Sequence, residues 1–354
     1  MAICTDHILK CMPWEESLRN PFMIANGYGD ALPQIQDTTP DLINHVDISP
    51  TTLGLCDLEI PDTFLGADYS GYFGTNKPIP RYFMGNSTKE NVMTLSEQYQ
   101  KNGFCVTPEP ILPPDIVNAA VKGMDAVRAG EYDTGHPPQN SRWNPGDDPN
   151  TLCKIEMPQL ASHAIMDLVS HPALGQLAAE VTGAKMVQVW WVQLLYKPVG
   201  EPTEERVTNI GWHQDRHYWR IWEDGSELFT AWIALSDITP DAGPMRFVPG
   251  SHKWGFLEID AGFQQQDLDT LKSGISIPEN ETWSEAPILI PPGALSLHDC
   301  FTLHGSGPNR SNSPRRSFAI HMRTEKSRSV DDKREGLSRF IDDQSKCPGI
   351  YGQL

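Results

Sequence analysis

MVQVWWVQLLYKP, residues 186–198, is where the texture of the chain changes. The run is rich in β-branched and aromatic residues, follows the helix-stopping Gly183 and ends on Lys-Pro, which reads as a strand. Four further runs of the same kind follow: LFTAWIALSD (228–237), MRFVPGSH (245–252), ILIPPGALSLHD (288–299) and RRSFAIHMR (315–323). Pro-Gly and Asp-Gly turns punctuate them. Five or more strands in about 140 residues, with helices mostly ahead of them, argue for a jelly roll and against an alternating parallel sheet. The expected fold class is mostly β with flanking α-helices, a double-stranded β-helix of the jelly-roll, cupin-like kind.

Upstream of the strands the apolar residues recur at helical spacing. LSEQYQKNGF (95–104) reads as a short helix ended by Gly103, and PPDIVNAAVKGMDAVRAGEY (113–132) as a longer one opened by proline. ASHAIMDLVSHPALGQLAAEVTG (161–183) reads as two helical pieces broken at His171-Pro172. Between them, TGHPPQNSRWNPGDDPNT (134–151) is a Pro-, Gly- and Asn-dense loop, long enough to raise the question of a lid. The polar stretch 259–282 reads as an insertion, and the mixed-charge tail from Thr324 as a surface helix or arm. Residues 1–90 lack a sustained period and form an extension expected to pack on the core; 91–325 form the jelly-roll domain and 326–354 the C-terminal tail.

Composition narrows the partners. The 354 residues carry 28 Lys and Arg against 46 Asp and Glu, a formal charge of −18, which repels phosphate backbones and anionic membranes. The seven cysteines (Cys4, Cys11, Cys56, Cys105, Cys153, Cys300, Cys347) contain no CxxC pair, which fits a reducing cytoplasm and neither a disulfide framework nor a zinc ribbon. No run reaches the ~20 apolar residues that span a bilayer. The expected partner is a small-molecule substrate, with no nucleic acid and no membrane; oligomeric state is not readable.

The chemistry lies in GWHQDRHYWRIW, residues 211–222, where His213 and Asp215 stand two apart and on an extended strand would face one point in space. The pattern alone is weak, since His45-Val46-Asp47 repeats it in a turn-like setting. A third ligand is available in His304, 91 residues beyond His213, and a jelly roll brings such distant strands together. Two histidines and a carboxylate leave three positions of an octahedral metal open, as in non-haem Fe(II) oxygenases, although zinc accepts the same ligands. Arg315, eleven residues past His304, favours iron, because a guanidinium fork suits the far carboxylate of a dicarboxylic co-substrate.

The segments WHQDRHYW (212–219), AWIALSDITPDAGPMRFVPGSH (231–252) and HGSGPNRSNSPRR (304–316) resemble the phytanoyl-CoA dioxygenase family of Fe(II)- and 2-oxoglutarate-dependent oxygenases, over about residues 94–325. The resemblance implies His213, Asp215 and His304 as iron ligands and Arg315 with Ser306 as holders of the 2-oxoglutarate carboxylate. Gln193 and Trp232 match positions that line the co-substrate pocket. It also implies dioxygen as the second co-substrate and oxidation of an unactivated C–H, with hydroxylation as the default and desaturation or ring formation as branches. Asp215 is a carboxylate and offers chloride no vacant position, which argues against halogenation.

Other residues near the motifs divide between roles. His217, Tyr218 and Trp219 are expected at the substrate wall, while His252 reads as structural and His298 as a neighbour of the metal ligands. Arg315, Ser317, Ala319 and His321 share the more polar face of their strand, so Arg316 falls on the other. Lys197 reads either as a solvated strand cap or as a ligand contact. The expected substrate is a specialised metabolite or amino-acid-like compound, because no basic cluster suited to a CoA thioester accompanies the motifs. An idle jelly-roll binding protein and a zinc-dependent hydrolase are the competing readings.

Overall fold

The structure, a computed structural model, describes residues 93–353 apart from 140–142, 204, 260–262, 264 and 331–333. The N-terminal extension, the His45-Asp47 pair and three of the cysteines lie outside the described residues. Two antiparallel sheets form the core, as a jelly roll requires. The larger runs β1 (Phe104–Val106), β8 (Leu295–Asp299), β5 (Leu228–Ala234), β10 (Arg315–Thr324), β3 (Val187–Lys197) and β11 (Gly349–Tyr351), with β2 (Cys153–Glu156) also paired to β3. The smaller runs β4 (Ile210–His213), β9 (His304–Ser306), β6 (Met245–Phe247) and β7 (Ala286–Pro287). Their inner faces meet in an apolar layer that includes Leu195, Trp232, Met245, Phe247 and Ala319, and Phe104 stacks on Phe247 with ring centroids 4.5 Å apart.

Helices cover the outer face of the larger sheet. α1 (Leu95–Asn102) begins at a capping box in which Glu97 N–H donates to Thr94 Oγ1 while Thr94 N–H donates to the Glu97 carboxylate, and it ends at Gly103 with φ +83°. α2 (Pro114–Ala129) opens on proline, stops at Gly130 and buries Val117, Ala120, Met124 and Val127; each larger side chain contributes about 1.5–3 kcal/mol when fully buried. α3 (His163–Val169) and α4 (Pro172–Thr182) are separated at His171-Pro172, where proline restricts the preceding residue to extended backbone. In the polar insertion, α5 (Leu268–Gly274) is capped by Asp267.

A β-bulge sets which residues of β3 face inward. His321 pairs with Trp191 and Met322 with Val189, so Trp190 is the extra residue. Val187 and Val189 join the helix-side core before it, and Val192 and Leu194 after it. Strict alternation would have turned Gln193, Leu195 and Lys197 towards the helices; the bulge turns them inward instead.

The tail departs from expectation. Among its described residues it forms no α-helix: after a short 3-10 turn at Gly336–Ser338 it returns to the sheet as β11. Gln188 Nε2 donates to the carbonyls of Ile341 and Cys347 at 2.7 and 2.8 Å, and Cys347 is fully buried. β11 thus covers the end of β3 that β2 leaves unpaired, which disposes of an exposed edge. Cys105, Cys153, Cys300 and Cys347 are buried free thiols. No helix among the described residues is long and apolar enough to cross a membrane.

Candidate metal and co-substrate site

His213 ends β4 and His304 begins β9, and the two are cross-strand partners with ring centroids 4.2 Å apart. Asp215 does not continue the strand. Gln214 stays extended, with φ −107° and ψ 134°, and Asp215 opens a 3-10 turn over Asp215–His217. Alternation therefore carries just far enough to bring Asp215 to the side of His213. One ligand atom from each of His213, Asp215 and His304 lies within 4.8 Å of the others, and all three residues are buried. Asp215 Oδ1 is 3.7 Å from His213 Nε2 and 3.8 Å from His304 Nε2.

The tautomers are set by the backbone. His213 Nδ1 donates to Gly211 C=O at 2.8 Å and His304 Nδ1 to Thr302 C=O at 2.9 Å. A carbonyl can only accept, so each neutral ring keeps its proton on Nδ1 and turns an Nε2 lone pair to the cluster. Burial lowers the pKa of His213, and burial followed by the neighbouring His213 lowers that of His304 further. For Asp215, burial acts to raise the carboxyl, but the hydrogen bond from His298 and the nearby His304 and His321 hold it well below the ordinary value. The donor set is thus one anion and two neutral imidazoles, a set that could hold a divalent metal.

The cluster opens into a cavity of about 420 Å³, counted out to its mouth, lined in part by Gln193, Trp232, Ser306 and Arg315. Arg315 is 1% exposed; its Nη1 donates to Gly243 C=O at 2.5 Å, its guanidinium lies 5.3 Å from the Trp232 ring centroid, and its Nε has no hydrogen-bond partner among the described residues. Burial lowers its pKa to about 9, so it remains a cation at neutral pH. Lys197 stands opposite Arg315 in the register of β3 and β10 and is fully buried, which rules out a solvated cap. Its ammonium donates to Ser306 Oγ at 2.7 Å and Gly307 C=O at 2.5 Å. Burial first, then Arg315 and Arg246, lower its pKa well below the usual value. Two buried basic groups beside one hydroxyl form a pocket built for an anion.

Gly243 holds this pocket together. Its φ is +64°, and a Cβ there would lie 2.7 Å from the carbonyl oxygens of Gly307 and Pro308. Gly243→Ala is expected to cost at least about 1–3 kcal/mol in urea unfolding, from the left-handed backbone alone. It should also weaken co-substrate binding, because Arg315 and Lys197 both bond to this loop pair.

The expected substrate residues separate. His217 is exposed and stacks near Phe256 at 5.8 Å, while Tyr218 is 42% exposed, 5.9 Å from the His213 ring, and its hydroxyl accepts from the N–H of Phe263, a residue that lines the cavity. Trp219 lies deeper. The 3-10 turn carries it away from the cavity, 3% exposed, into contact with Trp190 at 5.0 Å and His321 at 4.8 Å. Arg316 points to the helix side and pairs with Asp125 at 3.3 Å. His252 bonds Gln100 C=O on α1. Thr230 was absent from the sequence reading although it touches Asp215; a threonine in an apolar strand gives no signal of its own.

Comparison with known proteins bears on the family and the fold. The sequence model of the family described as phytanoyl-CoA dioxygenase (PhyH) matches residues 99–317. An ectoine dioxygenase of Sphingopyxis alaskensis is 29% identical over 163 residues, 41% of this chain and 51% of the relative. A probable alpha-ketoglutarate-dependent hypophosphite dioxygenase of Stutzerimonas stutzeri is 28% identical over 183 residues, 49% of this chain and 58% of the relative. The chain thus spans about half the length of the curated relatives it matches. Among solved structures, the epimerase SnoN in complex with Fe3+, alpha ketoglutarate and nogalamycin RO superposes with a TM-score of 0.53 at 21% identity, over 70% of this chain and 88% of that one. The carbocyclase SnoK from nogalamycin biosynthesis gives 0.51 at 23%, over 72% and 92%. At these identities the structural likeness speaks for the fold.

Proposed function

The chain belongs to the phytanoyl-CoA dioxygenase family, and from that premise we propose that it is an Fe(II)- and 2-oxoglutarate-dependent dioxygenase that oxidises an unactivated C–H of a small organic molecule. The observation that carries this reading is the meeting, in one cavity, of the His213, Asp215 and His304 donors with the buried Arg315. A zinc hydrolase needs the first feature but has no use for the second. Bound there, Fe(II) supplies an open coordination face for 2-oxoglutarate and dioxygen and the oxidising power that the reaction needs.

The protein's own residues do the rest. His213 and His304 present Nε2, held in that orientation by the Gly211 and Thr302 carbonyls. Arg315, Lys197 and Ser306 receive the distal carboxylate of 2-oxoglutarate, an anion matched to two buried basic groups. Gln193 and Trp232 flank the co-substrate between the cations and the metal. His217 and Tyr218 contact the substrate at the rim. Hydroxylation is the expected outcome, and a specialised metabolite or amino-acid-like compound the expected substrate.

Anaerobic addition of Fe(II) and then 2-oxoglutarate tests the reading. A weak visible charge-transfer band should appear, Zn(II) should give none, and admission of air should release succinate. No band, together with no succinate across a broad substrate panel, would sink it.

A further inference from the structure

Asp215 has two oxygens, and the fold treats them differently. Oδ1 faces the Nε2 atoms of His213 and His304. Oδ2 is bonded from the larger sheet: the Thr230 hydroxyl donates to it at 2.7 Å and His298 Nε2 lies 3.3 Å away. The Thr230 oxygen in turn lies 2.8 Å from His321 Nδ1. A hydroxyl has one proton. Since that proton goes to the anionic carboxylate, the second contact runs from His321 N–H to the Thr230 oxygen. His321 is fixed between Trp190, at 5.7 Å, and Trp219, at 4.8 Å. The chain from tryptophan cluster to carboxylate is buried throughout, with Thr230, His298 and His321 each at most 3% exposed.

We propose that Thr230, aimed by His321 and seconded by His298, is a positioning residue that makes Asp215 a one-oxygen metal ligand, with Oδ2 committed to the protein and Oδ1 alone offered to the metal. The proposal rests on the reading of His213, Asp215 and His304 as metal ligands. Its chemical point is the count of open positions. A carboxylate that chelated through both oxygens would occupy one of the three positions that 2-oxoglutarate and dioxygen require. Outer partners of this kind orient a ligand, and their loss typically weakens metal affinity 10–100-fold. The tryptophan cluster gains a role as well: it is the wall against which His321, and through it Thr230, is held.

Titration of the metal-free full-length protein with Co(II), followed by its d–d absorption and by calorimetry, separates the possibilities. Thr230→Val keeps the shape and removes the hydroxyl; it should weaken Co(II) binding at least tenfold and change the d–d bands. Thr230→Ser should restore both. Co(II) affinity within threefold of wild type and an unchanged spectrum in Thr230→Val would overturn the proposal. If that variant melts early without metal, His321→Phe, which keeps a ring and removes the donor, carries the same two outcomes. Wild-type protein that binds no Co(II), or His213→Ala that binds it as wild type does, would instead overturn the assignment of the metal ligands, whatever Thr230→Val does.

Discussion

Asp215→Ala is expected to abolish metal-dependent turnover, with succinate release falling by roughly two orders of magnitude or more, on the scale at which even outer partners cost 10–100-fold. The reason is the charge balance of the cluster. His213 and His304 are neutral donors whose pKa values burial has lowered, so Asp215 is the one anion the metal-ligand set contains. Removing it also takes the acceptor away from Thr230 and His298, leaving buried donors unpaired at about 1–3 kcal/mol each. The measurement therefore pairs succinate assay with urea unfolding of the metal-free protein, so that loss of metal is separated from loss of fold. Asp215→Asn keeps the shape and should lose turnover with a smaller stability change. Wild-type oxidation by either variant would show that the metal is held by a different carboxylate.

How far the sequence led can be judged at particular residues. Helix ends were legible at Gly103, Pro114 and Gly183, which act through their own backbone preferences. The strands were legible as apolar runs, and the inward face of β10 followed from its alternation. The bulge at Trp190 was written in β3 as a phase slip, with valines at 187 and 189 giving way to Val192 and Leu194, but two adjacent tryptophans hide it, being apolar in either phase. It decides whether Lys197 meets solvent or the anion pocket, which is why the sequence left that lysine between two roles. Trp219 was harder to place, because past Asp215 the chain leaves the strand for a 3-10 turn, which the run of aromatic residues does not signal. Contacts across the sheet, such as Thr230 with Asp215 and His321, join residues up to 91 positions apart. No local pattern encodes them.

Arg315→Ala is the second large effect, and Arg316→Ala is its control. The two neighbours sit on opposite faces of β10. Arg316 reaches the helices, where it pairs with a half-exposed Asp125 at 3.3 Å; such surface pairs contribute about 0–1 kcal/mol. Arg315 is buried, lies 5.3 Å from the Trp232 ring centroid and has a donor unmatched by any acceptor among the described residues. Truncating one partner of a buried charged pair costs about 2–5 kcal/mol, so the 2-oxoglutarate KM should rise on the order of 100-fold in Arg315→Ala and stay within about threefold in Arg316→Ala. Lys197 remains in the first variant to hold part of the carboxylate, which keeps binding measurable at high 2-oxoglutarate. Arg315→Lys should recover little, because an ammonium cannot present the planar fork. Removing Arg315 also relieves Lys197 of a like charge, so the variant should fold at least as well as wild type in urea without co-substrate. A larger KM effect in Arg316→Ala would reverse the assignment of the two arginines.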